Sequence, residues 1–238
     1  MFASETIREL LARNGLTDLD AVFRRGRGSH CRHEGRLVYR MLLERDNGEP
    51  WPVFVKLNWG RRRLWPRMTD LKTGQLFQSL PEREWHGLAT LERLGLNVPR
   101  RLALFRDGWL NFRAAVVLET VPPRMSLDEM LGTSHWRDLT DRQQTRLLEA
   151  VVAVTRRIHN AGLAWRGTSS RHYYPLLQPD GSWKLWLIDC EGVHPLYSRG
   201  LIARDWDKLI RAMIESGADE RTITTLRRSI DPPSRRAA

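Results

Sequence analysis

Residues 156–189, RRIHNAGLAWRGTSSRHYYPLLQPDGSWKLWLID, are the stretch that decides the fold of this chain. They begin at the end of a helical pattern that starts near Thr140, and its broad apolar face predicts a helix central to a larger lobe. An irregular loop follows, and then two short strands around a turn at 178–181. The second strand, WKLWLID, is strongly apolar and ends in one carboxylate, Asp189. That carboxylate either binds a metal ion or caps a turn, and the local pattern allows both.

Upstream of this stretch, the sequence predicts a small antiparallel sheet with helices. Residues 37–43 and 51–57 read as two strands, because the DNGEP segment between them has the composition of a hairpin turn. A loop that contains Gly26 and Gly28 precedes this hairpin and could cover a phosphate group. The other predicted elements are an N-terminal helix capped by Ser4, a helix over 81–94, and strands over 100–105 and 112–120.

The rest of the chain is predicted to be mainly helical. The Val121-Pro122-Pro123 segment breaks regular structure, so we expect two lobes, 1–120 and 121–238, within one domain. A last helix is expected to begin near Ala203 or Asp205, followed by a frayed tail. The fold class expected from this order is α+β.

Two charged residues of the first lobe are candidates for chemistry. Alternation along VFVKL places Lys56 on the same face of its strand as Phe54. Glu84 lies at the start of the predicted helix, where its carboxylate could reach a lysine on a neighbouring strand. Taken alone, each residue also fits an ordinary structural role, since a first-turn glutamate is favoured by the helix dipole. Similarly, His172, which precedes Tyr173 and Tyr174, is either a metal ligand or structural.

The charge of the chain predicts an anionic partner. Its 238 residues carry a formal net charge of +11, mainly from arginine, which suits contacts with phosphate and carboxylate groups. Charge alone leaves nucleic acid, an anionic membrane surface and a phosphorylated small molecule open. With two cysteines and no apolar run of roughly 18 residues, the chain is expected to be cytoplasmic, with peripheral membrane contact allowed.

The order of these features resembles one known family. A strand lysine, a helix glutamate, a helix ending in IHNAG, a loop and a strand ending in aspartate follow one another over residues 25–215. The segments VFVKLNW, LPEREWHGLATLERLGLNVP, RRIHNAGLAWRGTSSRHYYPLL, LWLIDCEGV and RDWDKLI carry the likeness. In them the chain resembles the lipopolysaccharide core kinases of the Kdo/WaaP type, a Gram-negative bacterial branch of the bilobal protein-kinase-like fold.

This resemblance implies a role for each candidate residue. Lys56 would hold the α- and β-phosphates of ATP while it pairs with Glu84. Asp189 would bind Mg²⁺, and His172 stands where protein kinases have a metal-binding asparagine. The remaining implied positions are Glu119 at the hinge that meets adenine, Gly26 and Gly28 in the loop over the phosphates, and Arg166 in the catalytic loop.

One position departs from the family pattern. Members usually have His-Arg-Asp where this chain has Trp165, Arg166 and Gly167, so the residue that accepts the proton of the acceptor hydroxyl is missing. General base assistance contributes about 10²- to 10⁴-fold, whereas phosphoryl transfer depends mainly on positioning and charge neutralisation. Both a slow enzyme and a pseudokinase are therefore consistent with the sequence, and His172 or Glu191 could act as a displaced base.

Three functions follow as hypotheses. The first is an ATP-dependent kinase for a heptose or Kdo of the lipopolysaccharide core, at the cytoplasmic face of the inner membrane. The second is a pseudokinase that binds nucleotide or an anionic glycolipid and supports a partner enzyme. The third is nucleic-acid binding through the arginines at 61–63 beside Trp59 and Trp65. We prefer a membrane or glycolipid surface over nucleic acid for that segment, because tryptophan and arginine suit a lipid interface.

Overall fold

The structure, a computed structural model, describes residues 1–26, 32–33, 35–59, 68–75, 78–107 and 113–231. The chain divides into two compact units. The first comprises Met1–Thr90 and Pro99–Thr120, and the second comprises Leu91–Val98 and Val121–Ala238. Three parts of the predictions, Gly28, the arginines at 61–63 and Trp65, lie outside the described residues.

The first unit is built on a five-stranded antiparallel sheet. Its spatial order is β1, β2, β3, β5, β4, with bounds Arg32–His33, Arg36–Glu44, Pro50–Asn58, Ala114–Glu119 and Arg101–Arg106, respectively. The helices of this part are α1 (Glu5–Arg13), α2 (Leu19–Arg25), α3 (Met68–Thr73) and α4 (Leu80–Arg93). The expected hairpin, the two later strands and the helix at 81–94 are confirmed, with bounds that differ by two residues at most.

The hairpin of β2 and β3 separates a buried face from a face that carries Lys56. Val53, Val55 and Leu57 are at most 2% exposed on one face of β3. Lys56 points to the other face and pairs across the hairpin with Val38. The predicted alternation is thus correct, because successive side chains of a strand point to opposite faces of the sheet.

Two N-terminal helices cover the buried face of this sheet. Leu11 of α1 and Val22 of α2 belong to the same apolar cluster as the inward residues of β3. After α1, the Asn14 side chain donates to the Glu44 carbonyl at 3.1 Å and accepts from the Glu44 N–H at 2.8 Å, which extends the edge of β2. The sequence analysis missed α2, since seven residues show barely two turns of periodicity.

The second unit is mainly helical with two small antiparallel sheets. Its helices are α5 (Leu127–Leu131), α6 (Ser134–Arg137), α7 (Asp141–Asn160), α8 (Gly200–Glu215) and α9 (Glu220–Ile230). Its strands are β6 (Leu163–Trp165), β7 (Tyr173–Leu177), β8 (Trp183–Leu187) and β9 (Val193–Pro195), where β6 pairs with β9 and β7 pairs with β8. The α+β fold class is therefore confirmed.

Helix α7 is central to this unit, as its apolar face predicts. Thr140 and Gln143 form a reciprocal cap at its start, and Leu147, Val151 and Ile158 are fully buried. The prediction of α8 as the last helix was wrong, because α9 follows it and begins at the cap Asp219. No described helix combines the length and apolar composition needed to cross a membrane.

Candidate functional site

Strand β3 and helix α4 bring a lysine and a glutamate together in the first unit. The Nζ atom of Lys56 lies 3.2 Å from Oε1 of Glu84, and the two side chains are 22% and 1% exposed. A carboxylate this deeply buried is costly unless a cation or hydrogen bonds compensate it. The pair therefore holds the ammonium group of Lys56 at one place on its face of the sheet.

The start of α4 determines where Glu84 lies. The N–H and hydroxyl of Ser79 each donate to Oε2 of Glu82 at 2.8 Å, and the Glu82 N–H returns a bond to the Ser79 hydroxyl at 3.4 Å. Arg106 on β4 adds an ion pair to the other oxygen of Glu82 at 3.2 Å. Because Glu84 follows two residues later, the cap that begins the helix also positions the partner of Lys56.

Gly26 lies at the end of α2, on the face of the sheet opposite Lys56. A Cβ atom at this glycine would come within 2.7 Å of Leu37 and 3.0 Å of Tyr39, both of which belong to the core cluster. This packing accounts for the glycine without a ligand, and the role of Gly26 in covering a phosphate stays a prediction. Glu119, the residue expected at the hinge, ends β5, and its N–H donates to the Arg100 carbonyl at 2.9 Å.

In the second unit, Trp165 fastens the loop that follows α7. Strand β6 places Trp165 opposite Val193 of β9, and the indole is fully buried. Its Nε1–H donates to the backbone carbonyl of Asp189 at 3.4 Å, and its ring meets that of Tyr173 edge-on at 5.4 Å. The loop and the backbone at Asp189 are thus held together by one side chain.

This tryptophan also explains the glycine in the loop. A Cβ atom at Gly167 would lie 2.9 Å from Nε1 of Trp165 and 3.1 Å from the carbonyl oxygen of Asp189. The indole is buried and the carbonyl belongs to the backbone, so neither can move aside at low cost. A side chain at position 167 would require the Trp165 indole and the Asp189 backbone to shift, so the expected aspartate does not fit beside this tryptophan without rearrangement.

His172 connects this loop with Asp189. Its Nδ1 lies 2.5 Å from the carbonyl oxygen of Gly167, and its Nε2 lies 3.4 Å from Oδ2 of Asp189. A carbonyl oxygen only accepts, so Nδ1 carries the proton in this contact. Nε2 then faces a carboxylate oxygen, an arrangement that is favourable only with a second proton or a cation between the two groups.

Asp189 itself has an unusual backbone. Among the described residues, it is the only one other than glycine with a positive φ, 57°. Such a conformation costs about 1–3 kcal/mol for most residues and is often found at functional sites. Glu191 is nearby, and a carboxylate oxygen of each residue lies within 4.8 Å of the other. The sequence analysis named Glu191 only as a displaced base, whereas the structure places it beside the predicted metal ligand.

A buried carboxylate of α8 supports the same loop from behind. Asp205 is completely buried and accepts hydrogen bonds from the Trp165 N–H at 2.8 Å, from Arg204 at 2.8 Å and from His159 at 3.4 Å. Burial alone would raise the pKa of Asp205, but the bonds from His159, Arg204 and Trp165 outweigh it and hold the pKa below its ordinary value. Asp205 therefore stays ionised and fixes the backbone of the loop.

The structure brings four predicted site residues together in two pairs, and each pair lies within one unit. Lys56 meets Glu84 in the first, and His172 meets Asp189 in the second. Arg166 is exposed in the loop, and its backbone carbonyl accepts a bond from Nζ of Lys208 at 2.8 Å. The basic residues of RDWDKLI are not among the site residues predicted from the sequence, although the i, i+4 spacing of Arg204 and Lys208 was an available signal.

Comparisons with known proteins found a family model and a solved structure that are similar to this chain. The family model of the lipopolysaccharide kinase (Kdo/WaaP) family matches residues 56–229, a segment that begins at Lys56 and includes the loop and Asp189. Among curated proteins, no sequence matches this chain significantly. A solved structure described as WaaP in complex with acyl carrier protein is similar in fold, with a TM-score of 0.68 and 20% identity over 96% of this chain and 87% of that chain. The predicted kinase-like fold is confirmed, and the chain belongs to the lipopolysaccharide kinase (Kdo/WaaP) family.

Proposed function

We propose that this protein is an ATP-dependent kinase that phosphorylates a heptose or Kdo of the lipopolysaccharide core. The observation that carries the proposal is the ion pair of Lys56 and Glu84 at 3.2 Å, which lies within the segment that matches the kinase family. Phosphoryl transfer needs little covalent chemistry from the protein and depends mainly on positioned cations. In this proposal, Lys56 binds the α- and β-phosphates of ATP, and Glu119 lies at the hinge that meets the adenine.

The donor atoms around Asp189 fit a divalent cation. Two carboxylates within 4.8 Å, Asp189 and Glu191, supply the oxygen ligands that Mg²⁺ prefers. The Nε2 atom of His172 faces the same carboxylate, and a cation would relieve the contact between the two acceptors. We therefore assign Asp189, Glu191 and His172 to the metal. When bound, Mg²⁺ would neutralise charge on the transferred phosphoryl group.

The protein carries out this chemistry without a carboxylate at position 167. A general base contributes about 10²- to 10⁴-fold, so its loss slows the reaction but leaves positioning and charge neutralisation intact. His172 is unsuited to be the replacement, since one nitrogen contacts the Gly167 carbonyl and the other faces Asp189. We expect slow turnover, with the acceptor hydroxyl losing its proton to solvent or to a phosphate oxygen.

Transfer of radiolabel from the γ-phosphate of ATP tests this function. The acceptor is lipopolysaccharide from a Gram-negative strain whose core lacks phosphate, and mass spectrometry of the product locates the modified sugar. We expect Mg²⁺-dependent labelling of a heptose or Kdo that Asp189→Asn abolishes. The matched control is Asp180→Asn, because Asp180 lies on the β7–β8 turn and bonds only its neighbour Ser182 in the described part of the chain. Equal labelling by wild type and Asp189→Asn would remove Asp189 from the mechanism.

A second candidate function is a pseudokinase, and the space filled by Trp165 beside Gly167 favours it. Such a protein would bind nucleotide or an anionic glycolipid and support a partner enzyme. It predicts nucleotide binding without labelling of any core sugar. Acyl carrier protein is one partner to include in binding tests, because the structure of WaaP that this chain resembles contains it.

The charge of +11 supports a location at an anionic membrane surface. Trp59 is less suited to lipid or base contacts than its sequence indicates, since it packs against the core cluster and meets Phe23 edge-on at 6.0 Å. We propose peripheral binding at the cytoplasmic face of the inner membrane and disfavour nucleic acid. Sedimentation with anionic vesicles, compared with binding of single-stranded DNA at the same salt concentration, distinguishes the two.

A further inference from the structure

We propose that a group of basic residues beside the loop, hereafter the Arg166 cluster, binds the oxyanion of an acidic sugar: a phosphomonoester or carboxylate. The cluster consists of Arg166, His194, Arg204 and Lys208, which lie on the loop, β9 and α8 of the second unit. That the anion belongs to the acceptor rests on the proposed function, whereas the binding site itself is argued from the geometry of this unit.

The elements of the cluster are fixed to each other by short contacts. Nζ of Lys208 donates to the Arg166 carbonyl at 2.8 Å, which ties α8 to the loop. The Arg166 N–H donates to the carbonyl of Gly192 at 2.9 Å, one residue before β9 begins. Arg204 precedes Lys208 by four residues, so both side chains lie on one face of α8. These contacts use the backbone of Arg166, and they fix the loop, β9 and α8 to each other.

The carboxylate within the cluster compensates one of its cations. Asp205 is buried and pairs with Arg204 at 2.8 Å, and it also accepts from the Trp165 backbone and from His159. Asp207 on the same helix forms no ion pair with these residues in the described part of the chain. Arg166 is exposed and Arg204 is 35% exposed, so their guanidinium groups remain accessible to an anion.

Charged neighbours act on the pKa of Lys208 in both directions. Burial lowers this pKa most, the charge of Arg204 lowers it further, Asp205 raises it, and Arg166 lowers it by a smaller amount. Burial likewise lowers the pKa of His194, the bond to the Pro195 carbonyl opposes this shift, and Arg204 and Arg166 lower the pKa against Asp205. His194 is therefore mainly neutral near pH 7, and Arg166, Arg204 and Lys208 supply the positive charge of the cluster.

The chemistry and shape of the cluster favour a sugar oxyanion over a membrane surface. Arginine side chains bind phosphate and carboxylate in a bidentate manner, which suits a compact anion. His194 is only 4% exposed and stacks on Tyr197 at 5.6 Å, while the Tyr197 side chain is 40% exposed. A recessed imidazole thus lies beside an accessible aromatic ring, and a flat lipid surface would not reach His194.

Calorimetry with glucose 6-phosphate, with glucose as the uncharged probe, tests this site without nucleotide. We expect glucose 6-phosphate to bind at least about tenfold more tightly than glucose, and each of Arg166→Gln and Lys208→Gln to weaken it about tenfold. Both variants alter exposed positions, and thermal unfolding verifies that they remain folded. The matched control is Arg228→Gln on α9, which makes the same charge change at an exposed position and should leave the affinity unchanged.

Some outcomes would overturn the inference, and others separate it from the proposed kinase function. Equal binding of both sugars, or equal weakening by Arg228→Gln, would show that only the net charge acts. Binding of phosphatidylglycerol vesicles that depends on Lys208, without binding of glucose 6-phosphate, would assign the cluster to lipid instead. Failure of phosphate transfer with intact binding of glucose 6-phosphate would refute the kinase function and leave the anion site standing. Phosphate transfer without binding of glucose 6-phosphate would support the kinase function and overturn the anion site.

Discussion

The buried indole of Trp165 donates a hydrogen bond to the backbone carbonyl of Asp189 at 3.4 Å. The same ring fills the space that a side chain at Gly167 would need. One residue therefore joins the catalytic-type loop to the proposed metal ligand and excludes the acid that the family pattern places in that loop. Relative to the His-Arg-Asp pattern of the family, Trp165 and Gly167 therefore form one coupled structural change.

Restoring the acid alone is therefore expected to fail. In Gly167→Asp, the Cβ atom would press against Trp165 and the Asp189 carbonyl, and such overpacking costs about 1–3 kcal/mol. We expect a lower unfolding temperature and no gain in phosphate transfer. Gly167→Ala is the control, since it adds the same Cβ atom without the charge and should destabilise the protein to a similar degree.

The double variant Trp165→His with Gly167→Asp tests the coupling of these two positions. The smaller imidazole makes room for the aspartate and recreates the His-Arg-Asp sequence of the family. We expect transfer to rise relative to wild type, by up to about 10²- to 10⁴-fold if the acid serves as general base. A double variant that is no better than Gly167→Asp alone, in both stability and activity, would contradict the account of Trp165.

Neutralising Glu84, the partner of Lys56, is expected to lower the efficiency with which the protein uses ATP. In Glu84→Gln the ammonium group of Lys56 loses its charged partner, and we expect kcat/KM for ATP to fall by about 10²-fold. Glu82→Gln is the matched control, because glutamine preserves the cap with Ser79 and the residue lies only two positions away. A comparable fall in both variants would point to damage to α4 rather than to a specific role of Glu84.

Asp205 predicts a pH-dependent contribution to stability. Its pKa is lowered in the folded protein, so the unfolded chain binds the proton more readily, and folding gains stability above the unfolded value of about 3.9. This contribution is lost as the pH falls through the lower pKa of the folded state. Because removal of one partner of a buried ion pair costs about 3–5 kcal/mol, Asp205→Asn should unfold at clearly lower urea concentration at pH 7.

The difference between wild type and Asp205→Asn should shrink as the pH falls below about 4, since the unfolded wild-type chain then binds a proton that the folded protein binds only at lower pH. Urea unfolding at several pH values measures this directly. Asp219→Asn serves as the comparison, because Asp219 is an exposed helix cap and its replacement by asparagine costs little stability. A difference that stays constant down to the acid limit would mean that Asp205 does not act through its charge.

Much of the fold could be predicted because its signals are local. The apolar periodicity of α7 and the alternation of β3 each span enough residues to identify the element and the face that it buries. The short elements were not predicted, since α2 has seven residues and β6 has three, and neither is long enough to show a hydrophobic periodicity. Their positions depend on tertiary contacts, such as the pairing of Trp165 with Val193.

The candidate site was predictable in its residue types and less so in its spatial relationships. Lys56 and Glu84 are recognisable from their places on a strand and a helix, and the structure pairs them at 3.2 Å. The structural reason for Gly167 could not be predicted from the sequence, because it depends on where the Trp165 ring lies. Likewise, the convergence of Arg166 with Lys208 joins residues 42 positions apart and follows from packing alone.

Calorimetric titration of the purified protein with ATP in the presence and absence of Mg²⁺ shows whether it has a working nucleotide site, and it requires no knowledge of the acceptor. We expect Mg²⁺-dependent binding that Asp189→Asn abolishes and Asp180→Asn preserves. This expectation would be contradicted by a folded wild-type protein that does not bind ATP, or by binding that is the same for wild type and Asp189→Asn.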